Sequence, residues 1–366
     1  MHFHYLVPVW GKSYTELFSD VCLPMLMTPG NLGSANGRVE DQFVIMTTWE
    51  DHLAIRSSSY YERLCQLIRV EFLLIDGLID ISSSHAAMSE CYALAMKRRE
   101  VVPASTFFVF LTPDSFWPDG TFHRLAELAA SGNRVVMACG LRLESEPVSE
   151  ILKERIVLHT ENVAIPMHEL VGLAFKHLHQ LSRAHNMLSK NGFLNAWPSH
   201  MYWINERDRQ LIAHCFHLHP LMVRAPKAEI AIGTTIDGDF LDNLHYSLNH
   251  YCVLQDEFVG FELSPAERNW GQPLGSPSLL QISLFSLLYA NSRHWHFFGK
   301  RIVLNGNPGR QIDPFLEQLV NRIVSKIQRK KALAMFIQKL RLNHVVHRLR
   351  RVKNQRIKNL MRRLFI

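Results

Sequence analysis

The stretch FFVFLTPDSFWPDG, residues 107–120, decides how the chain is read. Five of its first six residues are aromatic or aliphatic, then the sequence turns at Pro113-Asp114, and a second carboxylate, Asp119, follows in a Pro-Asp-Gly turn. A short apolar run bounded by turn residues is the pattern of a strand buried on both faces. Working outward, HFHYLVPVWG (residues 2–11) and DQFVIMTT (41–48) are further apolar strands that end in polar or turn-forming residues. YYERLCQLIRVEFLLIDGLI divides into a helix near 58–69 and a strand near 70–75. SSSHAAMSECYALAMKRRE is a helix with serines at its start and bases at its end, as capping and the helix dipole favour. TFHRLAELAASGN is a helix closed by Gly132, and RVVMACGLRL is a fifth strand.

Strands that alternate with helices over short loops predict an α/β fold with a mostly parallel sheet covered by helices. Ligands of such sheets bind beyond the carboxyl ends of the strands. Residues 8–11, 47–51 and 114–119 are therefore expected around one crevice. From about residue 150 the pattern changes. HELVGLAFKHLHQLSRAHNML has helical spacing, while QLIAHCFHLHPLMV, EIAIGTTIDGDFL and HYCVLQDEFVGFELS have the look of strands. The predicted divisions are an α/β half at 1–145, a second half at 146–310 that completes the sheet and builds an acceptor side, and a helical tail at 311–366.

The chain has 366 residues, 47% hydrophobic and 20% charged, enough to bury a sizeable core. No apolar run is long enough to span a bilayer. The first residues lack the basic and apolar regions of a secretory signal. The six scattered cysteines form no CxxC pair, which fits reduced thiols in a cytoplasmic protein. The net charge of +7 hides an asymmetry. No acid follows Glu317, and 15 Lys and Arg lie between Arg322 and Arg363. The rest of the chain carries 25 basic against 33 acidic residues, a net of −8. An acidic body with a basic tail predicts a polyanionic partner for the tail. Within 329–366 apolar residues recur near helical spacing among the bases, which suits an interfacial helix on an anionic membrane. A helix packed on the body's own acidic surface is the plainer alternative. Nucleic acid is the less favoured partner, because interleaved stacking aromatics are missing.

The ordered pieces HYLVPVWG, FVIMTTWED, SSSHAAMSECYALAMKRRE, FFVFLTPDSFWPDG and GNRVVMACGLR resemble the nucleotide-binding half of a GT-A-fold glycosyltransferase, over somewhat more than a third of the chain. The resemblance implies a Rossmann-like sheet and a nucleoside-diphosphate sugar as donor. It implies contacts from Pro8 and Val9 to the base and from Thr48 or Asp51 to the base or ribose. It places Asp114 as the first acid of a DxD-type motif that holds Mn2+ or Mg2+ against the diphosphate. The chain departs from the family at Phe116, where the second acid would stand. Asp119 is the substitute offered by the turn, and metal independence is the other possibility.

Hard carboxylate oxygens suit such metals. If HCFHLHP is one strand, His217 and His219 face one side and His214 the other, a pattern that can ligate a metal or supply a general base. The resemblance implies that a histidine of the second half completes the metal site, with His217 or His219 as the candidate. An inverting transfer also needs a carboxylate base near the acceptor hydroxyl. Asp237 and Asp239 are preferred over Asp256 and Glu257, although Asp-Gly-Asp is also ordinary turn chemistry. There is no GxxxxGK[ST] loop, GxGxxG, HExxH or GxSxG, which counts against kinase, dehydrogenase, zinc-protease and common esterase readings. The expected protein is a cytoplasmic glycosyltransferase, peripheral on a membrane, acting on a glycan or lipid-linked acceptor. The alternative is a non-catalytic nucleotide-binding or membrane-recruited interaction protein.

Overall fold

A computed structural model describes residues 1–35, 40–98, 105–158, 164–188, 198–226, 236, 239–256, 258–267, 279–307 and 309–339. Its strands, in chain order, are β1 (His2–Pro8), β2 (Gln42–Thr47), β3 (Arg69–Leu74), β4 (Thr106–Phe110), β5 (Ser115–Phe116), β6 (Val135–Ala138), β7 (Gly140–Glu144), β8 (His200–Asn205), β9 (Gln210–Cys215), β10 (His219–Arg224), β11 (Tyr251–Val253), β12 (Gly260–Ser264) and β13 (Ile302–Asn305). The chain divides into two compact units. The first comprises Met1–Leu170 and Leu218–Pro265, and the second Val171–His217 and Ala266–Ile366. These units do not follow the expected divisions at 145 and 310, because the chain leaves the first unit and re-enters it.

The first unit is built on a seven-stranded sheet in the order β11-β6-β10-β4-β1-β2-β3. β1 pairs in parallel with both β2 and β4, β2 with β3, and β11 with β6. β10 alone runs antiparallel, wedged between β4 and β6. The result is a mixed α/β, mostly parallel Rossmann-like sheet. Burial follows position. Every residue of β4 is buried, as expected of a central parallel strand, whereas β3 alternates and exposes Arg69 and Glu71 at the sheet's edge. Phe3 stacks on Phe107 at 5.7 Å and Tyr5 lies 4.9 Å from Phe122, so aromatic rings bind β1 to β4 and to helix Thr121–Ala130.

Four expectations need correction. RVVMACGLRL is two strands, because β6 joins the large sheet while β7 pairs in parallel with β12 in a small sheet ordered β5-β12-β7. The switch is at Cys139, whose carbonyl accepts the Gly260 N–H at 3.0 Å. HELVGLAFKHLHQLSRAHNML is two helices, Met167–Lys176 and Gln180–Arg183, the second capped by His179 Nδ1 on the Leu181 N–H. HCFHLHP is not one strand, since β9 stops at Cys215 and β10 starts at His219. His217 therefore belongs to the second unit and His219 to the first, and they share no strand face. EIAIGTTIDGDFL lies mostly outside the described residues, and its end is helical, in Asp239–Asn243.

The second unit carries an antiparallel sheet, β13-β9-β8, with helices Leu279–Tyr289, Ser292–Phe298, Pro314–Gln328 and Lys331–Lys339. Helix Pro314–Gln328 starts with Pro at N1 and Asp313 as cap, and buries Leu316, Val320, Val324 and Ile327, one face at helical spacing. These side chains join Trp203, Phe216, Phe285, Trp295 and Ala334 in one core. Residues 314–336 of the expected tail thus contribute to this unit's own core, and residues 340–366 lie outside the described residues. In this core the His217 ring stacks on His294 at 4.4 Å and 10°. His294 Nδ1 accepts the Asn291 N–H in a capping box.

Burial, with the charges of His217 and Arg293, lowers His294 from its ordinary value of 6.5 to about 3. Burial lowers His214 as well. An unfolded chain protonates such a histidine as pH falls below 6.5, but the folded chain does not until about 3. The stabilisation is complete above 6.5 and is lost progressively as pH falls toward 3. At pH 5 the His294 share of the loss is about 2 kcal/mol. Urea unfolding at pH 7 and pH 5 is expected to show His294→Gln losing about 2 kcal/mol less than the parent chain between the two. Equal losses would show that His294 is not the responsible group.

Candidate active site at the carboxyl edge of the sheet

All lining residues described in this section belong to the first unit. β1 is flanked by β2 on one side and β4 on the other. The chain runs outward through β2 and β3, then returns across the sheet to form β4. In open α/β sheets a reversal of winding between neighbouring strands marks the edge, beyond their carboxyl ends, where ligands are taken; here that edge is at the ends of β1 and β4. Pro8 is the last residue of β1 and pairs with Met46, and Val9 follows it, buried, with its N–H on the Met46 carbonyl at 2.8 Å. Gly11 then adopts φ +83, open to glycine at no steric cost, and caps helix Lys12–Leu17.

Asp51 fixes this corner. Its carboxylate accepts the Gly11 N–H at 2.8 Å, the Thr15 hydroxyl at 2.9 Å and the Thr48 hydroxyl at 2.7 Å. Thr48 Oγ1 in turn accepts the Asp51 N–H and caps helix Trp49–Ser57. Thr48 and Asp51 thus stand at the expected edge, but much of their hydrogen-bonding capacity goes to the loop after β1. What the end of β2 presents to solvent is Trp49, 55% exposed, with its N–H held by Asp76 Oδ2 at 2.9 Å and its ring 5.4 Å from His52. Trp49 was not singled out from sequence. The signal for it was an aromatic at the first position of a helix that opens directly from a strand end.

Beyond β4, Leu111 continues the ladder by donating to the Leu6 carbonyl. The Leu111 carbonyl accepts the Tyr92 hydroxyl at 2.5 Å, which pins helix Ser84–Lys97 to the start of this loop. Asp114 is buried, 7% exposed, and its carbonyl accepts the Leu263 N–H at 2.8 Å. Burial and then the Asp114 charge push both the Cys22 thiol and, with Cys91, the Tyr92 phenol well above their ordinary values, so both stay protonated around this acid.

Asp119 is locked into its turn. Its Oδ1 accepts the Gly30 N–H at 2.7 Å, and Asn31 donates to the Pro118 carbonyl at 3.1 Å while accepting the Phe122 N–H at 3.0 Å. A Cβ on Gly30 would lie 2.5 Å from the Gly120 nitrogen, so the two loops are in backbone contact. His219 sets Nε2 2.8 Å from the Phe110 carbonyl, with its ring 6.5 Å from Trp117. Among the described residues no three His, Cys, Asp or Glu side chains are grouped to hold a metal. The expected set of Asp114, Asp119, His217 and His219 is therefore not assembled. Asp237 lies outside the described residues, and Asp239 opens helix Asp239–Asn243.

No protein-family model and no curated protein matches the chain. Among solved structures, similarity is found to S. aureus TarS residues 1–349, at 16% identity over 39% of this chain and 36% of that one, TM-score 0.26. Mouse xyloside xylosyltransferase 1 matches at 11% identity over 38% of this chain and 53% of that one, TM-score 0.27. Longer S. aureus TarS matches at 13% identity over 81% of this chain and 41% of that one, TM-score 0.36. The chain thus spans between about a third and a half of the length of these structures. Superpositions this loose carry no argument, and the fold rests on the strand order and directions given above.

The corner held by Asp51 makes a direct test of the site's framework. Asp51→Asn keeps the size but exchanges one acceptor oxygen for a donor facing Gly11 N–H, Thr15 or Thr48. It is expected to cost about 1–3 kcal/mol in urea unfolding. A change within a few tenths would mean that the loop after β1 is held by something else.

Proposed function

We propose that the chain is a glycosyltransferase that takes a nucleoside-diphosphate sugar in the crevice beyond β1 and β4. The observation that carries the reading is the strand order. The winding of the mostly parallel sheet reverses at β1, which supports a ligand site between the segments 8–11 and 111–114. The base lies at the end of β2, with buried Pro8 and Val9 behind it, where Thr48 and Asp51 shape the wall and Trp49 adds an exposed aromatic face. The diphosphate lies toward Asp114.

A magnesium or manganese ion carried in with the diphosphate would offset the charge of the departing group. The protein's own part is to hold the loop that bears Asp114 rigid, through Tyr92 below it and Leu263 beside it. If the transfer inverts, Asp237 or Asp239 is the candidate to take the acceptor's proton. The acceptor is a glycan or lipid-linked molecule, met at the cytoplasmic surface of a membrane, where the basic end of the chain keeps the enzyme. No helix among the described residues is long and apolar enough to cross that membrane.

A second reading is favoured by one observation, the commitment of Asp119 and His219 to backbone groups. On that reading the crevice binds a nucleotide and transfers nothing. Calorimetric titration of nucleoside diphosphates, with and without manganese, on the parent chain and on Asp114→Ala separates the two. The transferase reading expects binding that manganese strengthens at least tenfold and that the substitution abolishes. Binding indifferent to both would retain the pocket and remove Asp114 from its role. Absence of binding in folded protein would contradict the proposal.

A further inference from the structure

The last acid of the chain, Glu317, is paired with Arg301 at 2.7 Å, so no carboxylate beyond that pair offsets the bases that follow. On helix Pro314–Gln328 and its cap, Arg322, Lys326 and Arg329 are exposed and fall at i, i+4 and i+7. They occupy the face away from buried Leu316, Val320, Val324 and Ile327. A turn of two residues, Arg329-Lys330, leads into helix Lys331–Lys339. That helix buries Ala334 in the unit's core but leaves Leu333 38% and Phe336 57% exposed. Phe336 is seven residues past Arg329, across that turn.

An aromatic and an aliphatic side chain in water beside a stripe of bases meet no need of the folded core. They match the requirements of a bilayer interface, where apolar side chains enter the acyl boundary and bases meet anionic headgroups. A nucleic acid would use the bases but would have no use for exposed Leu333.

From this we infer that the helical pair Pro314–Gln328 and Lys331–Lys339 is itself an anionic-membrane docking surface, formed on the folded second unit. Leu333 and Phe336 insert, and Arg322, Lys326 and Arg329 sit on the headgroups. The inference rests on the membrane part of the proposed function and is independent of its chemistry. The docking surface is part of the same unit as the buried core, so the second unit is held against the lipid rather than tethered to it. The same sign of charge continues through residues 340–366, which carry nine further Lys and Arg.

The test uses the full chain and sedimentation with vesicles of phosphatidylcholine containing phosphatidylserine, against phosphatidylcholine alone. Binding is expected to the first only, and to weaken as salt is raised. Leu333→Ser with Phe336→Ser leaves the charge unchanged and is expected to weaken binding about tenfold. Arg322→Glu, Lys326→Glu and Arg329→Glu together are expected to weaken it at least a hundredfold. All five positions are exposed, and urea unfolding of each variant checks that the core is intact. Unchanged binding in both sets would overturn the inference, as would retention on an oligonucleotide in place of the vesicles. Nucleoside-diphosphate titration of the same variants is expected to match the parent chain. A loss there alone would count against the transferase reading and not against docking.

Discussion

Parallel pairing of β1 with β2 on one side and β4 on the other is the constraint from which the rest of the first unit follows. A strand buried on both faces is mostly apolar, and β1 and β4 are buried almost throughout, with His4 and Thr106 as their buried polar side chains. Parallel neighbours also need crossovers, which supply the covering helices. The chain winds outward from β1 through β3 and then returns to its other side, so the winding reverses between β1 and β4. The proposed crevice is a consequence of winding, not of any one residue.

Such a crevice exposes strand ends, and the polar groups there must be satisfied. Asp51 does this for the loop after β1, taking the Gly11 and Thr15 donors from 40 and 36 residues away as well as the Thr48 hydroxyl beside it. Asp119 and Asn31 do it for the turn after β5. Two carboxylates that sequence alone suggests for ligand contact therefore serve first to hold the walls. Asp114 differs in kind. It sits at the end of the central strand, near a thiol and a phenol that its charge helps to keep neutral.

The apolar runs FVIM and FFVFL and the polar residues after them were legible in sequence, because a strand buried on both faces is mostly apolar and must stop where it meets water. The division of RVVMACGLRL at Cys139 was not legible. Its two halves look alike, and only their partners, β10 and β11 for one and β12 for the other, tell them apart. The same holds for HCFHLHP, where an apolar run with alternating histidines conceals a change of unit at 216–218. The engagement of Asp51 by Gly11 spans 40 residues, a separation at which no local pattern informs. The helical spacing that the sequence shows in the basic end lies at 329–366, whereas the helix Pro314–Gln328 before it carries the buried face Leu316, Val320, Val324 and Ile327. That its apolar face completes a core, leaving Leu333 and Phe336 outside, required knowing where β8 and β9 lie.

The central claim is that the crevice beyond β1 and β4 is where a nucleotide binds. Amide hydrogen exchange with and without the tightest-binding of the common nucleoside diphosphates tests it most directly, because it reports position as well as binding. The account predicts slowed exchange in peptides covering residues 8–11, 48–51 and 111–116. Slowed exchange confined to the second unit, with those three segments unchanged, would contradict it.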